Sequence, residues 1–477
     1  MVSFCIYDLF VRALRQFFYI FKTCCNHFIV IIKYMIKHLL LFPAFLAAAT
    51  LPAGAWSGHH MLSRPALEDL DLWQRKDSVE AVSLRSFLLE TEEALAAFLD
   101  NQEAWSRKHL PHYVPRPEEL AFDAAKNEED ILLRFIYAIR INPESRIPLY
   151  LQLLPGEPAG DRERIVPSKV SIWGEDNAEG EEAFSFVRVR PGEQLHPLDV
   201  LVTANDEPDY GFDIGLFEDN QTAHGRKYGF DRQPFGNPEL AYSSQAPFHM
   251  GFYHESRIVY VFGSFLNKTF LDYRVHLFRD LSRFAFDQGQ PYWGWRFLGW
   301  SMHYAGDITM PWHSRPLPGY STLRMLWVNF KAMLGFTRSR DEAIQLSSNR
   351  HIAMEAYQRQ EFRRAWLSHD DEHPFFRALR NPYPIAPFTS DFLRKKASEG
   401  AARQAQYLDK VVRKALPHEM VDDPGMEVTR LESLEHVAQI VRDEDPDAAA
   451  KLNDAIAERF RDYSMSLRSV LFSVIKE

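Results

Sequence analysis

The chain has 477 residues, 46% of them hydrophobic and 14% aromatic, which is long and apolar enough for one large core or a core plus an extension. Its formal net charge is −10; the first 55 residues carry +4, which leaves −14 for the remainder, a field that does not draw polyanions such as nucleic acid. All three cysteines (Cys5, Cys24, Cys25) fall in that first segment, so disulfides play no part in the rest.

The opening segment reads as a leader. Met35-Ile36-Lys37-His38 gives a methionine and a basic start, Leu39 to Leu51 an apolar run, and Ala53-Gly54-Ala55 an A-x-A cleavage signal. Met35 reads as the true start. The apolar run is too short for a membrane span; an uncleaved anchor is the alternative, because Phe17–Ile36 is also apolar. Cleavage after Ala55 makes Trp56 the mature N-terminus, sends the protein to the periplasm or out of the cell, and leaves no integral span. A free α-amino group titrates near about 8 and ligates metal once deprotonated. His59 and His60 follow within reach.

Residues 56–140 read as helices with polar breaks, most clearly at Leu84–Leu99. Ile147–Leu154, Ala183–Val189 and Leu198–Val202 read as short strands or extended loops. Residues 205–250 are rich in Gly, Pro, Asp and Asn and form a long irregular stretch. Helical patterns return from 257, and the amphipathic tail Arg459 to Ile475 is expected to pack on the body. The fold class that follows is mainly α, a multi-helix, bundle-like core with an irregular, short-strand insertion at about 145–215. Three parts are expected: a removed segment 1–55, a helical domain 56–370 and a helical C-terminal extension 371–477.

The densest chemical signal lies at Trp300 to His313. His303 and Asp307 are four apart and share a helix face, Pro311 should stop or kink that helix, and His313 falls on the turn after it. His351 and Glu355 repeat the spacing in a run free of Gly and Pro. Imidazoles and carboxylates are suitable zinc ligands, and two helices that each turn such a pair inward can build a metal site. A surface ion pair or a histidine-rich core network is the plainer explanation of the same spacing.

The run His303-Tyr304-Ala305-Gly306-Asp307-Ile308-Thr309-Met310-Pro311-Trp312-His313 resembles the His-x3-Asp-x5-His signature of the zinc-dependent phospholipases C and the related single-strand-specific nucleases. That superfamily begins at a Trp that chelates zinc through its amino and carbonyl groups, which fits a cut before Trp56. The resemblance implies three zinc ions. Trp56, His59 and Asp307 would hold one, with His60 the rival of His59. His303 and the bridging Asp307 would hold its neighbour, and His313, His351 and Glu355 the third. The two remaining ligands are assigned to Asp209, with Asp206 and Asp213 as rivals, and to His249, with His254 as rival. Asp209 is also the residue that would orient or deprotonate the attacking water.

What the resemblance implies is a secreted phospholipase C. A hydroxide drawn from zinc-bound water would attack the phosphodiester and release diacylglycerol and a phosphorylated head group, at transient contact with a membrane surface. Glu355 in the last ligand pair resembles the phospholipases, where the nucleases usually have Asp. Tyr210 and Phe248 are candidates for an aromatic box around a choline cation. The alternatives are a zinc-dependent single-strand nuclease and a non-catalytic zinc- or lipid-binding protein; nucleic acid is not a partner in the preferred reading.

Overall fold

The computed structural model describes Trp56 and residues 58–75, 77–124, 128–173 and 185–475, all within one compact unit. The leader, its cleavage site and the three cysteines lie outside the described residues. Helix accounts for 62% of the chain and strand for 3%, so the fold is mainly α with a short-strand insertion. No helix among the described residues is long and apolar enough to cross a membrane.

The centre of the molecule is the helix Pro291–Asp307, in which every residue from Tyr292 onward is buried. Pro291 opens it at a position where a missing N–H costs nothing. The helix Leu271–Asp287 lies against it, and the chain turns between them at Gly289, where φ is +70°. Two glycines admit close neighbours. A Cβ at Gly299 would stand 2.6 Å from the Leu201 carbonyl, and one at Gly306 would stand 2.4 Å from the Tyr463 ring. The first lets the helix Pro197–Ala204 cross; the second lets the long helix Pro446–Val474 pass beside Asp307. That last helix belongs to the stretch expected as an extension, yet from Arg459 to Leu471 nearly all of its side chains are buried in the common core.

Two small antiparallel sheets make up the strands. One pairs Val79–Glu80 with Gln194–Leu195. In the other, Ser185–Arg188 is the middle strand between Tyr150–Leu153 and Arg164–Ile165, with Gln152 opposite Phe186. These match the expected strands at 147–154 and 183–189, of which residues 183 and 184 lie outside the described residues. Leu198–Val202 is a correction: the segment is helical, within Pro197–Ala204. Its β-branched residues suggested a strand, but Pro197 presets the first helical φ and the His196 side chain caps the Leu198 N–H at 3.2 Å. Residues 205–250 are irregular as expected, broken into short turns of helix such as Glu207–Tyr210 and Ala246–His249.

Candidate metal centre

Helix geometry brings the two spaced pairs inward. The helix that carries His303 ends at Asp307, and Pro311 begins a short helix, Pro311–Ser314, which turns His313 back toward it. His351 and Glu355 lie on the helix Arg338–Leu367. The irregular stretch is stitched to this frame by backbone: the Gly251 N–H donates to the His313 carbonyl at 2.9 Å and the Phe270 N–H to the Pro247 carbonyl at 2.8 Å. That fixes His249. Asp209 is held from the preceding residue but one, because Glu207 is clamped by Arg296 and by the Trp300 indole.

Three groups of ligand atoms result, each within 4.8 Å: His59, His303 and Asp307; Asp209, His249 and His303; and His313, His351 and Glu355. His59 Nε2 lies 3.0 Å from Asp307 Oδ1, and His249 Nδ1 lies 2.6 Å from Asp307 Oδ2. His303 Nε2 is 3.6 Å from Asp307 and 3.5 Å from Asp209 Oδ1. Asp307 therefore faces two of the groups with its two oxygens, as a bridging carboxylate would. Trp56 is buried beside them, its indole N–H donating to Thr309 Oγ1 at 2.9 Å and its ring edge-on to Phe460 at 4.9 Å.

The imidazoles are oriented from behind. His303 Nδ1 lies 2.8 Å from the Asn205 carbonyl and His313 Nδ1 3.0 Å from the His249 carbonyl. A carbonyl only accepts, so both Nδ1 atoms carry the proton and both Nε2 lone pairs point inward. His249 Nε2 faces Asp213 at 3.1 Å, and His59 Nδ1 faces the Tyr463 hydroxyl at 3.1 Å. Holding the outer ring nitrogen with an oxygen is how proteins fix metal-ligating histidines.

Orphaned atoms test whether the donor set fits a cation. His59 Nε2, Asp307 Oδ1, Asp209 Oδ1, His351 Nε2 and Glu355 Oε1 are all buried without a hydrogen-bond partner. His351 Nε2 and Glu355 Oε1 approach to 2.7 Å but not with hydrogen-bond geometry. An ion pair does not rescue them. Burial pushes His351 well below and Glu355 well above their ordinary ranges, which favours the uncharged form of each. Burial likewise takes His313 down to about 4. His249 goes the other way: burial lowers it, but Asp213 and Asp307 outweigh burial and hold it up at about 10. Burial would raise Asp307, yet His303, His249 and His59 keep it well below the usual carboxylate range. Buried lone pairs converging without partners cost free energy that a divalent cation would recover. The set of five imidazoles and three carboxylates fits zinc.

The rivals separate by their partners. His60 pairs with Asp206 at 2.6 Å, with Gln152 bridging at 2.8 Å, and their contact holds Asp206 at about 2 against burial. Asp213 is ion-paired to Arg274 at 2.6 Å and braces His249 from outside. His254 meets Ser398 Oγ at 2.8 Å. The aromatic box needs correction. Phe248 is fully buried among Phe217, Phe230 and Phe270. The Tyr210 hydroxyl donates to Gln152 at 2.6 Å and its ring packs edge-on against Phe186. Both rings are committed within the core, and the Phe248 face is already covered by the Arg274 guanidinium at 4.7 Å, so neither is open to a choline cation. Asn205, Asp213 and Tyr463, which brace the ligands, carry no spacing signal in the sequence.

A groove of about 1180 Å³ runs between His60 and Arg359, which lies one helical turn beyond Glu355; none of the ligand residues is on its walls. Arg164, Arg363, Arg364 and Arg442 also line it, against only Glu157 and Glu435, and no Phe, Tyr or Trp is among the described residues on its walls.

The chain matches no protein-family model, no curated protein and no solved structure.

Proposed function

We propose that the chain is a zinc-dependent phosphodiester hydrolase, a phospholipase C that releases diacylglycerol and a phosphorylated head group. The observation that carries this reading is the convergence of three buried ligand groups on and around Asp307, in which five ligand atoms, at least one from each group, have no hydrogen-bond partner. The residues would hold three zinc ions: Trp56 through its freed amino terminus with His59 and Asp307; His249, His303, Asp209 and the shared Asp307; and His313, His351 and Glu355. Zinc bound there supplies Lewis acidity toward phosphoryl oxygens and brings the pKa of water down to about 7.

The chain's own groups do the rest. Asp209 is the ligand carboxylate with most access to solvent, its side chain 19% exposed, and it is the residue that would orient water or accept its proton. The bracing contacts of Asn205, Asp213 and Tyr463 keep the imidazoles from reorienting as charge develops. Arg164, Arg359 and Arg363 on the groove wall would supply positive potential for an anionic substrate in a chain that is acidic overall, while Arg364 and Arg442 are paired with Glu361. The groove's lack of aromatic stacking platforms among the described residues favours a head group over single-stranded nucleic acid. A leader cut before Trp56 would place this activity in the periplasm or outside the cell.

The test is diacylglycerol release from phosphatidylcholine vesicles by protein that begins at Trp56, with and without a zinc chelator. Chelator-sensitive release is expected. Bound zinc with cleavage of single-stranded DNA instead would give the nuclease reading precedence. Bound zinc with neither activity would leave a zinc-binding protein, and no bound zinc would sink the centre itself.

A further inference from the structure

The helices Arg257–Phe262 and Thr322–Met333 are apolar on two sides. Inward, Val259 and Met325 join Tyr320 and Ala343 in a small core separate from the main one. Outward, Val261 (71% exposed), Phe262, Leu323 (79%), Trp327 (57%), Phe330 and Phe336 stand in solvent. Nine of the 15 large hydrophobic side chains exposed among the described residues fall between 258 and 336, so this is a patch and not scatter. A helix with its inner face already packed gains nothing in folding from a second apolar face.

Residues 256–271 and 316–336 contain Arg257, Lys268, Arg324 and Lys331 and no Asp or Glu, in a chain of net charge −10. Within the two segments the charges have one sign, and the acids at their edges, Glu255, Asp272, Asp341 and Glu342, are ion-paired to Arg315, Arg394, Arg340 and Arg338. The Lys331 ammonium sits 5.5 Å over the Trp327 ring, which stacks on Phe330 at 5.9 Å. Aromatic bodies with cationic tips are the side chains that settle at a membrane–water boundary. The helix Thr322–Met333 also lies in the chain between the His313 turn and the helix that carries His351.

We infer that these two helices form a docking surface for an anionic phospholipid bilayer. Leu323, Trp327, Phe330, Val261 and Phe262 enter the acyl boundary, while Arg324, Lys331 and Lys268 meet the lipid phosphates. This deepens the phospholipase reading by naming how that enzyme reaches its substrate, but lipid binding stands or falls by its own measurement.

The experiment is flotation of the zinc-loaded protein with vesicles of phosphatidylcholine, with and without phosphatidylserine, at low and high salt. The parent protein is expected to bind, more tightly with phosphatidylserine and less so in high salt. Trp327→Ala combined with Phe330→Ala is expected to weaken partitioning about 100-fold, because two aromatic side chains leave the lipid. Both positions are exposed, and an unchanged circular dichroism spectrum checks that the variant folds. The ratio of vesicle hydrolysis to hydrolysis of a short-chain monomeric phospholipid should fall with partitioning. Parent protein that does not float, or a variant that floats equally well, overturns the surface. So does a dimer of the parent that the double variant abolishes, which would assign the patch to a second copy. Vesicle binding lost in the variant without any lipid hydrolysis keeps the surface and removes the phospholipase reading alone.

Discussion

Two buried acids, Glu207 and Glu355, sit on either side of the same centre and are treated in opposite ways. Glu207 accepts from Arg296 Nε and Nη2 at 3.1 and 2.7 Å and from the Trp300 indole, so both of its oxygens are satisfied. Glu355 has His351 within 2.7 Å, yet no hydrogen bond forms and burial favours the uncharged carboxyl. A closed pair is architecture, because it needs nothing further. An open pair at the same depth is retained against its own cost, which marks it as a receptor for something with positive charge.

The sharpest way to break this comparison is at Asp307, which faces two ligand groups at once. Asp307→Asn should reduce phosphodiester hydrolysis by more than about 1000-fold and lower the zinc content measured by mass spectrometry, since a bridging ligand is lost. Full zinc content with full activity in that variant would end the metal assignment. Next come the two glutamates. Glu207→Gln strands the Arg296 charge and should cost about 3–5 kcal/mol in urea unfolding, whether or not a chelator is present. Glu355→Gln should cost under about 1 kcal/mol when a chelator is present, because it replaces a group whose neutral form burial already favours. Its loss should be in bound zinc. Equal stability losses in the two variants would erase the distinction between closed and open pairs.

A third acid, closed like Glu207, gives a pH signature. Burial would raise Glu361, but His373, Arg364 and Arg442 outweigh burial and hold it at about 2. Its folded pKa is depressed, so its stabilisation is present above the unfolded value of about 4.5 and is lost as pH falls toward 2. Glu361→Gln should therefore cost about 3 kcal/mol at neutral pH and progressively less between pH 5 and pH 2. A penalty that does not change with pH would show that the carboxylate charge is not what stabilises this corner. The smallest effect is expected behind the ligands: Tyr463→Phe removes the partner of His59 Nδ1 and should weaken zinc binding about 10-fold in competition with a chromophoric chelator.

What could be read in advance divides along the same physical line. His303 with Asp307, and His351 with Glu355, were legible because a helix repeats every 3.6 residues and spacing alone puts each pair on one face. Asp209 and His249 came from local motif likeness inside an irregular stretch, where no periodicity could support them. The choice between His59 and His60 needed Asp206 and Gln152, which lie 146 and 92 residues away from His60. Tyr210 and Phe248 misled because aromatic identity does not say whether a ring is core or surface. The exposed Trp327 and Phe330 were missed for the same reason: aromatic residues on a helix read as its buried face. Leu198–Val202 misled because side-chain propensity was weighed above the proline and the cap that start its helix.

One contact fixes when this site can come into being. His59 and Tyr463 meet across 404 residues of chain, and Gly306 has no side chain in the space where the Tyr463 ring arrives. During synthesis, the early histidine therefore waits unbraced until Tyr463 has emerged. The candidate centre can then close only when the core closes, because a chain cut short before that tyrosine would also lose Tyr463, Leu467, Val470 and Leu471 from the common core.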